Sequence, residues 1–267
     1  MTPRLPILFA GAGAMGGAMI AGWRRSGAIA AVDMMVRDPQ PGPAALAAAE
    51  AGAALNPPDA TLFTARSVVF AVKPQIWRAI AAELAPRLAP DAVIVSVVAG
   101  VAAGDLASAF PGRPIVRAMP TLASAIGQGS IALWADDPAL SEEIARLFAP
   151  LGAITVLADE DLMHVATAAS GSAPAYLYAL IEALEAAAVR AGLRAADAAR
   201  MVRATLSGAA ALLAGGDDDP ALLRRQVTSP GGTTEAALKL LMDENGLPAL
   251  MQQAVAAAVA RSRELGQ

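Results

Sequence analysis

Three stretches of the chain place residue types at spacings that chemistry could use. Gly11-Ala-Gly13-Ala-Met-Gly16 follows a short apolar run and opens an Ala-rich helical stretch. Between a strand and a helix, this GxGxxG spacing is a dinucleotide fingerprint. Gly11 permits the tight turn, Gly13 lets the backbone approach a pyrophosphate, and Gly16 lets helix and strand pack closely. The phosphates would rest on N–H groups at the positive helix end, which makes Gly11, Ala12, Gly13, Ala14, Met15 and Gly16 the expected cradle. The next strand ends Met34-Met-Val36-Arg37-Asp38. A carboxylate there would bond a ribose 2′-hydroxyl, and a guanidinium would pair with a 2′-phosphate. Arg37 comes first and Asp38-Pro39 has turn chemistry, so the reading favours NADPH and leaves NADH open. A solvated Arg–Asp turn is the plainer alternative. Two further apolar strands end in Ala71-Val72-Lys73-Pro74 and Ala99-Gly100. In a doubly wound sheet, ligands lie outside such carboxyl ends. Lys73 therefore reads as facing a cofactor cleft, or otherwise as a solvated lysine at a helix start.

The third stretch is Ser229-Pro230-Gly231-Gly232-Thr233-Thr234, ahead of a helical run. Pro and two Gly set a rigid turn whose N–H groups converge, with hydroxyls and a helix N-terminus beside them. Such a nest can hold a small carboxylate without a basic residue. On the residues alone it reads equally well as a helix cap with Thr as the capping residue. Ala169-Ser-Gly-Ser-Ala-Pro-Ala-Tyr176 interrupts a long helical stretch with small residues suited to close approach. Tyr176 and Tyr178 read as core, and His164 as a satisfied structural histidine.

These motifs need elements to position them. Strands are expected at 4–9, 31–37, 67–72, 92–98, 113–118, 129–134 and 153–157, with helices at 14–26, 42–53, 75–87, 103–110 and 138–149 between them. Strands at helix-length intervals indicate βαβ units and a parallel sheet buried on both faces. After about residue 160 the strand signal stops, and 160–190, 195–214, 220–227, 233–243 and 246–265 read as helices. The expected organisation is thus a Rossmann-type, doubly wound α/β domain over 1–160 and an all-helical domain over 161–267, parted near Asp159–Asp161. The later helices are apolar on nearly every side and would be buried against a partner subunit.

Composition narrows the choice of function. The chain has 267 residues, 56% hydrophobic, with 20 Lys+Arg against 24 Asp+Glu, hence a net charge of −4. That excludes disorder and argues against nucleic acid as a partner. With no Cys and one His, thiolate nucleophiles, a Ser-His triad and a Cys- or His-ligated metal are set aside, and no metal is expected. Lack of Cys suits a cytoplasmic protein. Leu5 to Trp23 carries no charge, which on hydropathy alone would allow a signal or spanning segment. Its glycines favour strand, turn and helix, so no membrane segment is expected.

Taken together, the chain resembles the pyrroline-5-carboxylate reductase family nearly end to end. The resemblance is carried by Gly11-Ala-Gly-Ala-Met-Gly16, Ala71-Val-Lys-Pro-Gln75, Val98-Ala-Gly100, Arg117-Ala-Met-Pro120, Ser170-Gly-Ser-Ala-Pro-Ala-Tyr176 and Val227-Thr-Ser-Pro-Gly-Gly-Thr-Thr234. It implies a Rossmann-type domain followed by a helical dimerisation domain, a homodimer able to assemble into rings, and reduction of the cyclic imine of 1-pyrroline-5-carboxylate to L-proline by NADPH or NADH. Gly11 to Gly16 would hold the pyrophosphate, and Arg37 and Asp38 would face the adenosine ribose. Ala71, Val72, Lys73, Pro74, Ala99 and Gly100 would line the nicotinamide side. Ser229, Gly231, Gly232, Thr233 and Thr234 would bind the substrate carboxylate, with the Thr234 hydroxyl catalytic at the imine nitrogen and Asp217 near an acidic family position. An imine needs neither nucleophile nor metal, which agrees with the residue inventory. The chain departs from the family at Thr121-Leu122-Ala123, where Asn-Thr-Pro is usual, and Thr121 is expected to replace part of the missing hydrogen bonding. That departure keeps two alternatives open: a reductase of another imine or keto acid, and a non-catalytic nucleotide-binding homologue.

Overall fold

The computed structural model describes residues 4–265. It falls into two compact units, one formed by the chain up to Gly171 together with the residues from Ala258 onward, the other by Ser172–Ala257. In the first unit the order is β1 (Ile7–Ala10), α1 (Ala14–Ser26), β2 (Met34–Arg37), α2 (Pro43–Glu50), β3 (Ala54–Leu55), α3 (Asp59–Leu62), β4 (Ser67–Phe70), α4 (Trp77–Leu84), β5 (Val93–Ser96), α5 (Ala103–Ala109), β6 (Ile115–Met119), β7 (Gly129–Trp134), α6 (Pro138–Phe148), β8 (Gly152–Val156) and α7 (Leu162–Ala166). The strands form one sheet in the order β3-β2-β1-β4-β5-β6-β7-β8, parallel except for the β6–β7 pair. The first six follow the doubly wound dinucleotide-binding order, whose switch point lies between β1 and β4. Ile7 pairs with Met34 on one side and with Ser67 on the other, so the carboxyl ends of these strands lie level.

Alternation along the strands explains the two-sided core. Ile7, Phe9, Val36, Val69 and Val95 point to one face, where Met19, Ile20 and Trp23 of α1 and Ile144 and Phe148 of α6 cover them. Leu8, Ala10, Val68, Phe70 and Ile94 point to the other, against Trp77, Ala81 and Leu84 of α4 and Leu106 and Phe110 near α5. Burial of that kind contributes about 25 cal/mol per Å² of apolar surface and outweighs local propensity. Trp23 is fixed further: its ring meets Phe9 and Phe148 edge-on, and its indole N–H donates to the Leu147 carbonyl at 2.8 Å.

The structure corrects several expected elements. The sheet has an eighth strand, β3, whose two residues pair with Met35 and Val36 and are too few to show periodicity. The strand expected at 31–37 starts with a 3-10 turn over Ala31–Asp33, and β2 begins at Met34. The helix expected over 160–190 is broken into α7, a π turn at Thr167–Gly171 and α8 (Ala173–Arg190). Pro174 lies in the first turn of α8, where a missing N–H costs nothing. Met163 of α7 is buried with Met119 and Ala132 of the sheet.

The second unit contains α8, α9 (Ala195–Ala214), α10 (Pro220–Gln226), α11 (Thr233–Leu241) and the start of α12 (Leu247–Glu264). α8 packs on α9 in an antiparallel hairpin closed by Gly192 in the left-handed region. None of α8, α10 and α11 has a buried residue, while Leu212 and Leu240 are 71% and 78% exposed. Among the described residues no helix is long and apolar enough to cross a membrane.

His164 is half-buried and tied to its neighbours as a structural group. Its Nδ1 lies 2.9 Å from the hydroxyl of Ser262, itself buried on the last turns of α12, and Arg263 donates to Asp161 at 2.6 Å. Burial holds the imidazole below its ordinary 6.5; the Arg117 guanidinium adds to that shift and Asp161 opposes it. Unfolded His164 takes up a proton near 6.5 and the folded residue only at lower pH, so stability falls as pH drops through that interval. The expected result is a melting temperature that declines as pH is lowered from neutrality through 6.5, with a shallower decline in His164→Asn. Equal slopes in the two proteins would remove His164 from the pH response.

Candidate active site

The loop between β1 and α1 is shaped by close backbone approach. Gly11 has φ +96°, and a Cβ on it would meet the Ala71 carbonyl oxygen at 2.5 Å. A Cβ on Gly16 would run into the carbonyl oxygen of Gly11. Both positions therefore require glycine, which lets α1 start directly against β1 and β4. Gly13 differs: nothing lies within 4 Å of a Cβ built there. It is the N-cap of α1, and no side-chain oxygen caps that helix. Free first-turn N–H groups beside open space are what a diphosphate requires.

Gly11 and Gly13 line a cleft of about 840 Å³ with Arg37, Asp38, Ala71, Val72 and Lys73. The structure thus brings half of the expected cofactor residues to the wall of one cleft at the β1–β4 switch point. Ala12 is buried and contributes its N–H to Asp38 Oδ2 at 2.6 Å. Ala14, Met15 and Gly16 form the first turn of α1, and Pro74 starts a 3-10 turn that leads into α4. Ala99 and Gly100 follow β5 and do not line the cleft; Ala99 packs beside Met119. Gly100 is in the left-handed region at φ +82°.

Asp38 works on the backbone. One carboxylate oxygen takes the Ala12 N–H and the other takes the Gln40 N–H at 2.7 Å, so it clamps the glycine loop to the end of β2. Asn56 braces the same residue through a pair of hydrogen bonds with the Asp38 backbone, from a left-handed φ of +46°. Sequence reasoning missed Asn56, although Asn56-Pro57-Pro58 is a turn signal. It also missed Ile76, Ile80 and Glu83, which line the cleft from one side of α4 and the turn before it. Their spacing of four and three residues was the available signal. Arg37 reaches across to Asp59 at 3.0 Å and Glu83 at 2.9 Å. The carboxyl of Asp59 is held below its ordinary 3.8, chiefly by the hydrogen bond from Arg87.

At the departure from the family pattern, Thr121 is buried and its hydroxyl accepts the Ser130 N–H at 3.0 Å. Leu122 is exposed. Arg117 is buried in β6, and Glu160 accepts from its guanidinium at 2.8 Å and from the Ala103 N–H at 2.7 Å.

In the second unit, Gly232 is the N-cap of α11, with Thr233 and Thr234 in its first turn and no side-chain cap. Gly231 has φ +71°. Its N–H donates to Glu235 at 2.8 Å, and the Gly232 N–H donates to the Ser229 carbonyl at 3.0 Å. The turn thus already binds one carboxylate of its own chain, in the manner of a capping box. Thr234 is half-buried, while Ser229 and Asp217 are exposed.

A doubly wound sheet with a glycine cradle at its switch point, followed by an all-α dimerisation domain, defines a nicotinamide-dependent oxidoreductase. Residues 160–265 match the family model for pyrroline-5-carboxylate reductase dimerisation, and residues 6–100 match that for NADP oxidoreductase, coenzyme F420-dependent. The pyrroline-5-carboxylate reductase of Pseudomonas aeruginosa is 38% identical over 272 residues, covering 100% of this chain and 98% of that one. That of Pisum sativum is 34% identical, covering 98% of each. The solved pyrroline-5-carboxylate reductase from Coxiella burnetii superposes with a TM-score of 0.89 at 29% identity over 99% of both chains. The Plasmodium falciparum pyrroline carboxylate reductase, whose structure has NADP bound, gives 0.85 at 25% identity over 100% of both. The chain belongs to the pyrroline-5-carboxylate reductase family.

The glycines separate binding from folding. Gly13→Ala should keep the wild-type melting temperature, because its methyl meets open space, yet weaken nucleotide binding severalfold. Gly16→Ala should destabilise the fold by on the order of 1–3 kcal/mol through overpacking. Thermal melts and nucleotide titrations of both variants check this, and a Gly13→Ala protein that binds normally would place the phosphates elsewhere.

Proposed function

We propose that the protein reduces the cyclic imine of 1-pyrroline-5-carboxylate to L-proline, with NADPH as the preferred hydride donor and NADH accepted. The observation that carries this reading is the presence in one chain of the uncapped, open glycine cradle and the Ser229–Thr234 turn, in a family defined by this reaction. When bound, the nicotinamide supplies the hydride.

In this reading Gly11 to Gly16 hold the pyrophosphate, and Arg37 and Asp38 form the adenosine end of the cleft. Ala71 to Pro74 with Ala99 and Gly100 support the nicotinamide end. Ser229, Gly231, Gly232, Thr233 and Thr234 bind the substrate carboxylate; the start of α11, which no side chain caps, supports this. The Thr234 hydroxyl holds the proton that arrives from solvent at the imine nitrogen. The ring carbon gains a hydride, the nitrogen gains that proton, and the C=N bond becomes single. Holding two reactants in register supplies most of what such a reaction needs, since no covalent intermediate forms. Residues 1–160 serve as the dinucleotide-binding domain and 161–267 as the dimerisation and substrate domain of a cytoplasmic homodimer, which can assemble into a ring of dimers. The unburied apolar helices α8, α10 and α11 support that association.

The test is loss of reduced-nicotinamide absorbance on adding racemic pyrroline-5-carboxylate. Turnover no faster than the enzyme-free blank with both nucleotides would refute the assignment. Thr234→Ala should lower kcat by about a hundredfold with little change in NADPH affinity, the size expected for a lost proton relay. An unchanged kcat would take Thr234 out of the reaction.

A further inference from the structure

The adenosine end of the cleft holds a four-residue ion network. Arg37, at the end of β2, donates to Asp59 at 3.0 Å and to Glu83 at 2.9 Å. Arg87 lies against the same two carboxylates, at 2.7 Å from Asp59 and 3.5 Å from Glu83. Two guanidinium groups and two carboxylates sum to zero charge. Only Arg37 and Glu83 of these four line the cleft itself.

That neutrality bears on the choice between the two nicotinamide nucleotides. They differ by one phosphate on the adenosine ribose, carrying about −1.5 to −2 charge at neutral pH. An unencumbered Arg37 would favour that phosphate strongly, through charge-assisted bonds from a planar fork. In this chain the fork already gives one arm to Asp59 and the other to Glu83. A ribose 2′-hydroxyl, in contrast, finds in Glu83 an ionised acceptor.

We propose that Glu83 is a specificity-determining residue of the cleft: by sharing the Arg37 guanidinium and setting a carboxylate beside it, Glu83 weakens the preference for NADPH and admits NADH. The inference rests on the nucleotide reading of the cleft given above and deepens it. Asp59 assists from outside the cleft, and Arg87 keeps both carboxylates in place. Glu83 and Arg37 side chains are 43% and 30% exposed, so solvent screens the effect and keeps it moderate.

Calorimetric titration of the wild type and Glu83→Gln with NADPH and with NADH, at one low ionic strength, tests the proposal. Gln keeps the shape and removes the charge. The NADPH-to-NADH affinity ratio should rise about three- to tenfold in Glu83→Gln and fall back as salt is added. Asp59→Asn, which releases the other arm of Arg37, should move the ratio the same way and provides a second reading if Glu83→Gln folds poorly. Arg37→Met should remove the preference for NADPH altogether. Adenosine 2′,5′-bisphosphate against adenosine 5′-phosphate repeats the comparison without the nicotinamide. A wild type that binds both nucleotides, with an unchanged ratio in Glu83→Gln and Asp59→Asn, would overturn this proposal alone. A wild type that binds neither would overturn the cleft reading and this proposal with it.

Discussion

A side chain on Gly16 would collide with the carbonyl of Gly11, and one on Gly11 with the carbonyl of Ala71. Two missing methylene-sized volumes therefore let α1 begin in van der Waals contact with the ends of β1 and β4. Everything in the first unit that can hold a ligand follows from this. The turn brings the positive end of α1 to the switch point of the sheet, and the level registers of β1, β2 and β4 bring their loops to the same rim. Asp38 completes the arrangement by tying the Ala12 N–H to the end of β2. A carboxylate that looks in the sequence like a ribose ligand is here a brace for the loop.

The rim is held by a core with little freedom. Strands buried on both faces leave α1, α4 and α6 nowhere else to pack, and Trp23 is locked by two edge-on rings and one hydrogen bond. Polar residues inside this unit are tied as tightly. Arg113 donates to the carbonyls of Ala85, Leu88 and Ala89, and Arg117 is paired with Glu160, which also receives the first N–H of α5. A guanidinium as buried as that of Arg117 would be costly if left alone, so its pairing removes a penalty as much as it adds attraction.

How much of this was legible in the sequence depends on the range of the interaction. The central strands were plain, because Ser67-Val-Val-Phe70 and Val93-Ile-Val-Ser96 are apolar throughout and bounded by breakers. The glycine cradle was plain, because Gly11 and Gly16 answer to close backbone approach and Gly13 leaves open space at the helix start. β3 was not, since two residues cannot display a period and their pairing with β2 is set by the fold. The π turn was hidden inside a stretch whose small residues suit a helix equally well. Asn56 reaches the cleft from a segment well separated from its motifs, and only the sheet order brings it there, while Ile80 and Glu83 follow the Ala71–Gln75 motif on α4 and line the cleft from one side of that helix. In the Ser229–Thr234 turn the convergence of N–H groups was readable; that Glu235 would bond one of them depended on side-chain placement.

The helical unit carries a different lesson. Its longest helices, α8 and α9, bury between them only Ala198 and Val202, and the apolar side chains of α11 face outward. Such an assembly of helices has too little interior to offset the entropy of ordering its own backbone. In the homodimer proposed above, its native shape would belong to the assembly, so that dilution would act on this half as a denaturant does on an ordinary domain.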